Sequence, residues 1–357
     1  MSAGLSRRDM ARVASAAVFA TSGARAAAGR WPRTEGSNTP KLCLLSGTTP
    51  NERSMRRMTQ IGVDHAILGG PRIPWEEGQL RGIMDRHKAG GLTVLNMMIG
   101  GFNNAIYGRP GRDQDIENVQ KSIRAAGKAG LPIIEYNFYA HRATEGYFDE
   151  SGRAGAGMLS FDYDKIKDLP PLPAEGAHSI DEMWNNVTYF LKAVVPVAKE
   201  SNVRLALHPN DPPAPISRGS GQIMGSVEGW KRLVDIVPSP YNGITFDCGV
   251  TREMGQDPVT ICRYFGKKDC INHVHFRNVR LKVPREKYTE VFPDEGEVNM
   301  FAVMKELLRL KYPRLIYPEH PRGLDADREQ SNSGQYAGWV FNVAYARAML
   351  QAAMESV

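Results

Sequence analysis

From residue 41 to the end of the chain, short apolar runs of β-type residues alternate with helical segments, and the alternation repeats eight times. The β runs fall at 41–46, 64–68, 92–99, 131–138, 203–207, 243–246, 271–276 and 314–317. Helical patterns follow them at 52–61, 75–88, 115–129, 180–200, 226–236, 258–266, 299–310 and 334–354. The runs lack the clean apolar–polar alternation of a sheet with one wet face, so they read as parallel strands covered on both sides. Eight such strand–helix units predict an α/β fold, a (β/α)8 TIM barrel, as a single domain over 41–357, although a chain of 357 residues has the length for two domains. A polar, Gly- and Pro-rich stretch at about 140–180 is too long for an ordinary connection and is expected to cover the mouth of the barrel.

Catalytic groups of such a barrel belong at the C-terminal ends of its strands. Four strings end there in groups able to bind a hard metal: LALHPNDPP (205–213), TFDCG (245–249), HVHFRN (273–278) and YPEH (317–320). The candidate ligands are His208, Asp247, His275 and Glu319. Successive units bring these strand ends to one point. Asp247 stands where a core strand would take an apolar residue, and a buried carboxylate needs a partner or a metal. His273 and His275 share a strand face, one as ligand and the other as support or packing; His275, nearer the strand end, is the expected ligand. Two imidazoles and two carboxylates suit Mn²⁺, with Mg²⁺, Co²⁺ or Fe²⁺ as alternatives, better than a thiolate zinc site. Cys248 points to the opposite face from Asp247 and reads as packing.

Around these ligands, Arg277 is a candidate for gripping a substrate carboxylate through two parallel hydrogen bonds. His320 is a candidate acid/base. Asn137, Asn210 and Asn278, near strand exits, are candidate substrate contacts. The GxGxxxG at 219–225 does not open a helix after a strand, which excludes a nucleotide loop of the dinucleotide-binding type.

Ser6-Arg7-Arg8-Asp9-Met10, a weakly apolar 13–20 and small-residue cleavage sites up to Ala28 read as a twin-arginine export signal over 1–28, with a connector at 29–40 and a periplasmic destination. These arginines supply part of the formal charge of +6. No basic run lies beyond them, so nucleic acid is not the expected partner. No stretch reaches the roughly 18 apolar residues of a membrane span, so no membrane anchor is expected. A homo-oligomer is left open. The four cysteines have no metal or disulfide-framework spacing and read as buried thiols, with a Cys262–Cys270 bridge as the alternative.

The same strings, together with IENVQKSIRAAGKAGLPIIEYNF (116–138), resemble the mannonate dehydratase family, within the wider group of xylose-isomerase-like metal barrels. The resemblance implies a (β/α)8 fold, a divalent metal such as Mn²⁺, and dehydration of the sugar acid D-mannonate to 2-keto-3-deoxy-D-gluconate. It carries the family's ligands onto His208, Asp247, His275 and Glu319, its acid/base histidine onto His320, and its tyrosine onto Tyr336, which makes His320 and Tyr336 the candidates for acid and base, in either order. Asp247 replaces a family cysteine, Glu319 an aspartate and Pro321 a glycine. The first two changes move the site towards the sugar isomerases and epimerases of the wider group, which supply the alternative reaction. A non-catalytic periplasmic sugar-acid binder is the third reading.

Overall fold

The computed structural model describes residues 35–329 and 335–357. In chain order its strands are β1 (Lys41–Ser46), β2 (His65–Gly69), β3 (Thr93–Ile99), β4 (Ile133–Tyr136), β5 (Tyr147–Ser151), β6 (Gly157–Asp162), β7 (Arg204–Leu207), β8 (Ile216–Ser217), β9 (Ser220–Gly221), β10 (Asn242–Asp247), β11 (Ile271–His275), β12 (Asn278–Val283), β13 (Lys287–Val291) and β14 (Leu315–Tyr317). Eight of them close a parallel barrel in the order β1-β14-β11-β10-β7-β4-β3-β2. The eight β runs read from the sequence are the strands of the barrel, and the fold is the (β/α)8 barrel expected.

Local chemistry accounts for the helices between them. Ser179 and Glu182 form a reciprocal capping box at the start of Ile180–Glu200. Asp257 caps Pro258–Lys267, whose first residue is the proline that a first helical turn tolerates. Arg112–Ala129 ends on Gly130 in the left-handed conformation at φ 85°. The apolar faces of these helices pack on the barrel in one continuous core that includes Ile123, Leu191, Trp230, Phe265 and Leu307.

Two features depart from the expected pattern. The 140–180 stretch is not merely a covering loop. Its strands β5 and β6 pair with β13, and β13 with β12, as an antiparallel sheet of order β12-β13-β6-β5. Both contributing segments leave C-terminal strand ends, one after β4 and one after β11, so this sheet stands beside the barrel mouth. Short helices at Asn103–Tyr107 and Cys248–Glu253 also interrupt what reads as loop. The four cysteines are buried free thiols, so the alternative Cys262–Cys270 bridge is not formed. The export signal over 1–28 lies outside the described residues. No helix among the described residues is long and apolar enough to cross a membrane.

Candidate active site

Register brings the four candidate ligands together. Asp247 pairs with His275 across β10 and β11, and His275 with Tyr317 across β11 and β14. Glu319 follows Tyr317 by two residues. His208 continues β7, its backbone N–H bonded to the Tyr136 carbonyl. His275 Nδ1 then lies 2.8 Å from Glu319 Oε1, 3.3 Å from His208 Nε2 and 3.9 Å from Asp247 Oδ2. His208 Nδ1 sits 2.7 Å from the Pro209 carbonyl, which assigns the ring proton to Nδ1 and leaves Nε2 as a lone pair facing the others. Burial, then the neighbouring His275, pushes the His208 pKa down to about 4, so the ring is neutral, the state a metal needs. Burial pushes Asp247 up to about 6 against the pull of Arg277. His275 is raised: burial opposes its charge, but the Glu319 and Glu135 carboxylates outweigh it.

These residues fit a divalent ion. Single ligand atoms of His208, Asp247 and His275 all lie within 4.8 Å of one another. Glu319 Oε1 is buried beside them, and its close approaches to His275 and Arg277 lack hydrogen-bond geometry. Mixed imidazole and carboxylate donors are the set that Mn²⁺ or a similar ion takes. The group opens onto a cleft of about 740 Å³ lined by Asn137, Arg142, His208, His275, Glu319 and His320 among others. His320 Nδ1 lies 2.8 Å from Glu290 Oε2, and its Nε2 lies 3.5 Å from Glu319 Oε2. Its backbone is left-handed, φ 49°, a conformation uncommon for a residue with a side chain. Burial disfavours its charged form, but Glu290 and Glu319 raise its pKa overall.

Arg277 does not face the cleft. It is 3% exposed and its guanidinium is enclosed by carboxylates. Glu253 lies at 2.6 Å, Asp247 at 3.0 Å, Glu319 at 3.3 Å, Asp211 at 3.4 Å and Glu290 at 3.9 Å. The expected substrate-carboxylate anchor is therefore an internal counter-ion, drawn inward by the negative charge the strand ends collect. Asp211, Glu253 and Glu290 are not among the residues the sequence singles out, because each becomes informative only when separate segments fold onto Arg277. Glu135 on β4 also goes unnoticed there, although a carboxylate in the apolar run IIEY is a local signal. It is buried 3.4 Å from His275 Nε2. Burial alone would raise its pKa, yet His273 and His275 hold it well below the usual carboxylate range.

The model of the D-mannonate dehydratase family matches residues 174–357, more than half of the chain and the part that contains all four candidate ligands. The chain belongs to the mannonate dehydratase family. It is 32% identical over 266 residues to mannonate dehydratase of Thermotoga maritima, covering 64% of this chain and 72% of the relative. It is 30% identical over 249 residues to that of Streptococcus equi subsp. zooepidemicus, covering 63% and 68%. The crystal structure of mannonate dehydratase from Streptococcus suis serotype2 superposes with a TM-score of 0.80 at 25% identity, over 89% of this chain and 95% of that one. A xylose isomerase domain protein from Planctomyces limnophilus, at a TM-score of 0.57 and 13% identity over 89% and 99%, shares the fold.

Of the other residues expected in a mannonate dehydratase site, Asn137 lines the cleft, with its amide 3.8 Å from the Met98 sulfur. Three are placed elsewhere. Tyr336 begins the C-terminal helix, and its hydroxyl donates to the Arg57 carbonyl at 3.0 Å, on the outer helix ring. The Arg57 guanidinium lies 4.9 Å from the centre of its ring. Asn210 is buried: its amide donates to Gln222, and its oxygen accepts from the Met224 N–H at 2.7 Å. It ties the β7 exit to the loop before Val227–Ile236. Asn278 is buried too, donating to the Pro293 and Val298 carbonyls and accepting from the Val298 N–H, which closes the connection after β13. The Asn278 amide has its hydrogen bonds taken by backbone, and the Asn210 amide by backbone and Gln222. Arg142 takes the position expected of Arg277. It lines the cleft with its side chain 44% exposed, its Nε bonded to the Asp211 carbonyl at 2.6 Å.

Proposed function

We propose that this enzyme dehydrates D-mannonate to 2-keto-3-deoxy-D-gluconate, with Mn²⁺ held by His208, Asp247, His275 and Glu319. The convergence of these four groups at one end of the barrel, inside the segment matched by the family model, carries the reading. A proton on the carbon beside a carboxylate is weakly acidic, and its removal builds negative charge on the carboxylate oxygens. A bound divalent ion supplies the stabilisation of that charge. Arg142, on the cleft wall, pairs with the substrate carboxylate, and Asn137 donates to a hydroxyl. His320, backed by Glu290, takes that C–H proton in its neutral form and gives it to the departing β-hydroxyl, which leaves as water, and the enol left behind tautomerises to the 2-keto-3-deoxy acid. We also propose that residues 1–28 send the folded enzyme through the twin-arginine route to the periplasm.

The test is direct. Mn²⁺-loaded protein incubated with a panel of aldonates is expected to release a 2-keto-3-deoxy acid from D-mannonate, read colorimetrically. Exchange of a C–H of a ketose with D₂O, with no keto-deoxy product from any aldonate, would favour the epimerase chemistry of the wider group instead. Replacing Arg7 and Arg8 by Lys is expected to leave the precursor in the cytoplasm; unchanged export would reject the signal.

A further inference from the structure

The interior of a (β/α)8 barrel is ordinarily filled by branched apolar side chains. Around the buried end of His275 it is polar. Asn96 on β3, Glu135 on β4, Thr245 on β10 and His273 on β11 are each no more than 2% exposed. Burying a carboxylate there costs several kcal/mol unless charged partners compensate it. The neutral neighbours of Glu135 do not supply that charge. Asn96 Nδ2 donates to Oε2 at 3.0 Å and Thr245 Oγ1 to Oε1 at 2.8 Å. They come from strands on either side of β4 and fix the plane of the carboxylate from two directions. What the fixed carboxylate faces is imidazole: Oε1 lies 3.4 Å from His275 Nε2, and Oε2 lies 3.9 Å from His273 Nε2. The opposite nitrogen of His275, Nδ1, faces His208, Glu319 and Asp247.

We propose that Glu135 is the positioning residue of the metal centre. His275 Nε2 is buried and makes no hydrogen bond elsewhere, and Glu135 at 3.4 Å is the carboxylate placed to take its proton, so the ring presents Nδ1 as its lone pair and the carboxylate charge strengthens that nitrogen as a donor. Asn96 and Thr245 hold Glu135 so that it can do this. The role requires a carboxylate, and the strand ends alone do not supply one on this side of the ring. His273 occupies the remaining space beside Glu135, and both of its ring nitrogens lack hydrogen-bond partners. The inference rests on the metal reading above.

Binding of Mn²⁺ separates this role from a merely structural one. Free Mn²⁺, followed by its electron paramagnetic resonance signal, is titrated with wild type, Glu135→Gln, Glu135→Leu and His208→Ala, all first stripped of metal. Glutamine keeps the volume and an acceptor oxygen but removes the charge; leucine removes both. Affinity is expected to fall about tenfold in Glu135→Gln and about a hundredfold in Glu135→Leu. The melting temperature of stripped Glu135→Gln should stay close to wild type, while its rise on adding Mn²⁺ shrinks. Should Glu135→Leu fail to fold, Glu135→Gln alone decides. Wild-type affinity in Glu135→Gln and Glu135→Leu would overturn the proposal. A wild type that binds no Mn²⁺, indistinguishable from His208→Ala, would instead overturn the metal reading beneath it.

Discussion

The barrel has a chemical half and a plain half. Strands β4, β7, β10, β11 and β14 bring Glu135, His208, Asp247, His275 and Glu319 to the centre. Strands β1, β2 and β3 end in Ser46, Gly69 and Ile99. Their exits are glycine-rich: Gly47, Gly69, Gly70, Gly100 and Gly101. At Gly70 an added Cβ would overlap the Trp75 ring and the Met98 carbonyl, so only glycine fits between them. Both halves are built from the same strand–helix unit. The repeat provides the scaffold and is indifferent to chemistry; the side chains at a few strand ends provide the site. The match to the family model, over 174–357, falls on β7 to β14, which carry the four candidate ligands. The plain half leaves space, and space governs which substrate fits.

If that division holds, the largest effect comes from the chemical half. His208→Ala and Glu319→Ala should each empty the centre and lower turnover by at least about 10²–10³-fold, since the developing charge loses its main stabilisation. Metal analysis of the purified variants checks this. Full occupancy in both would mean that the ligands lie elsewhere and that the two halves do not differ as described.

His320→Asn tests the boundary of the centre. The side chain touches Glu290 and approaches Glu319, but it is not among the four ligands. Turnover should fall by about 10²–10⁴-fold while Mn²⁺ stays bound. A variant that loses its metal would place His320 with the ligands and not with the proton-transfer groups. Asn137→Ala lies where the two halves meet, on the exit of β4 opposite Met98 of β3. A lost hydrogen bond to substrate of about 1–1.5 kcal/mol should raise KM roughly tenfold and leave kcat and metal content near wild type. A fall in kcat with KM unchanged would move Asn137 into the reacting groups.

The same contrast explains what was legible in the sequence. The barrel is plain because eight short apolar runs and eight helical patterns each follow from local composition. The ligands are plain because a metal donor at a strand end breaks an apolar run: Asp247 after Thr245-Phe246, Glu319 after Tyr317-Pro318. The partners of Arg277 are not plain. Asp211, Glu253 and Glu290 come from the loop after β7, the end of helix Cys248–Glu253 and strand β13, and only their folded proximity gives them meaning. Arg277 itself misleads because a guanidinium beside a metal-binding strand has the same sequence appearance whether it grips substrate or balances buried acids. Asn210 and Asn278 mislead in the same way: amides at strand exits serve backbone as readily as substrate. The pairing of β5 and β6 with β12 and β13 joins segments more than a hundred residues apart, and no local pattern specifies it.

Tyr336 gives the smallest expected effect and the most discriminating one. The resemblance assigns it to proton transfer, yet its hydroxyl donates to the Arg57 carbonyl on helix Glu52–Gln60, behind the plain half. Removing that hydroxyl with Tyr336→Phe deletes one hydrogen bond to backbone, worth about 0.5–1.5 kcal/mol of stability. It leaves the ring that Arg57 packs against. Turnover on D-mannonate should therefore stay within about twofold of wild type, with a melting temperature lowered by a few degrees at most. Steady-state kinetics and a thermal melt of the same preparation measure both. A loss of the 10²–10⁴-fold size that general acid–base catalysis contributes, with the melt unchanged, would return Tyr336 to the reacting groups. It would also mean that the first turn of the C-terminal helix swings its hydroxyl from Arg57 to the cleft when substrate is bound. The plain half would then contribute a conformational step as well as a wall.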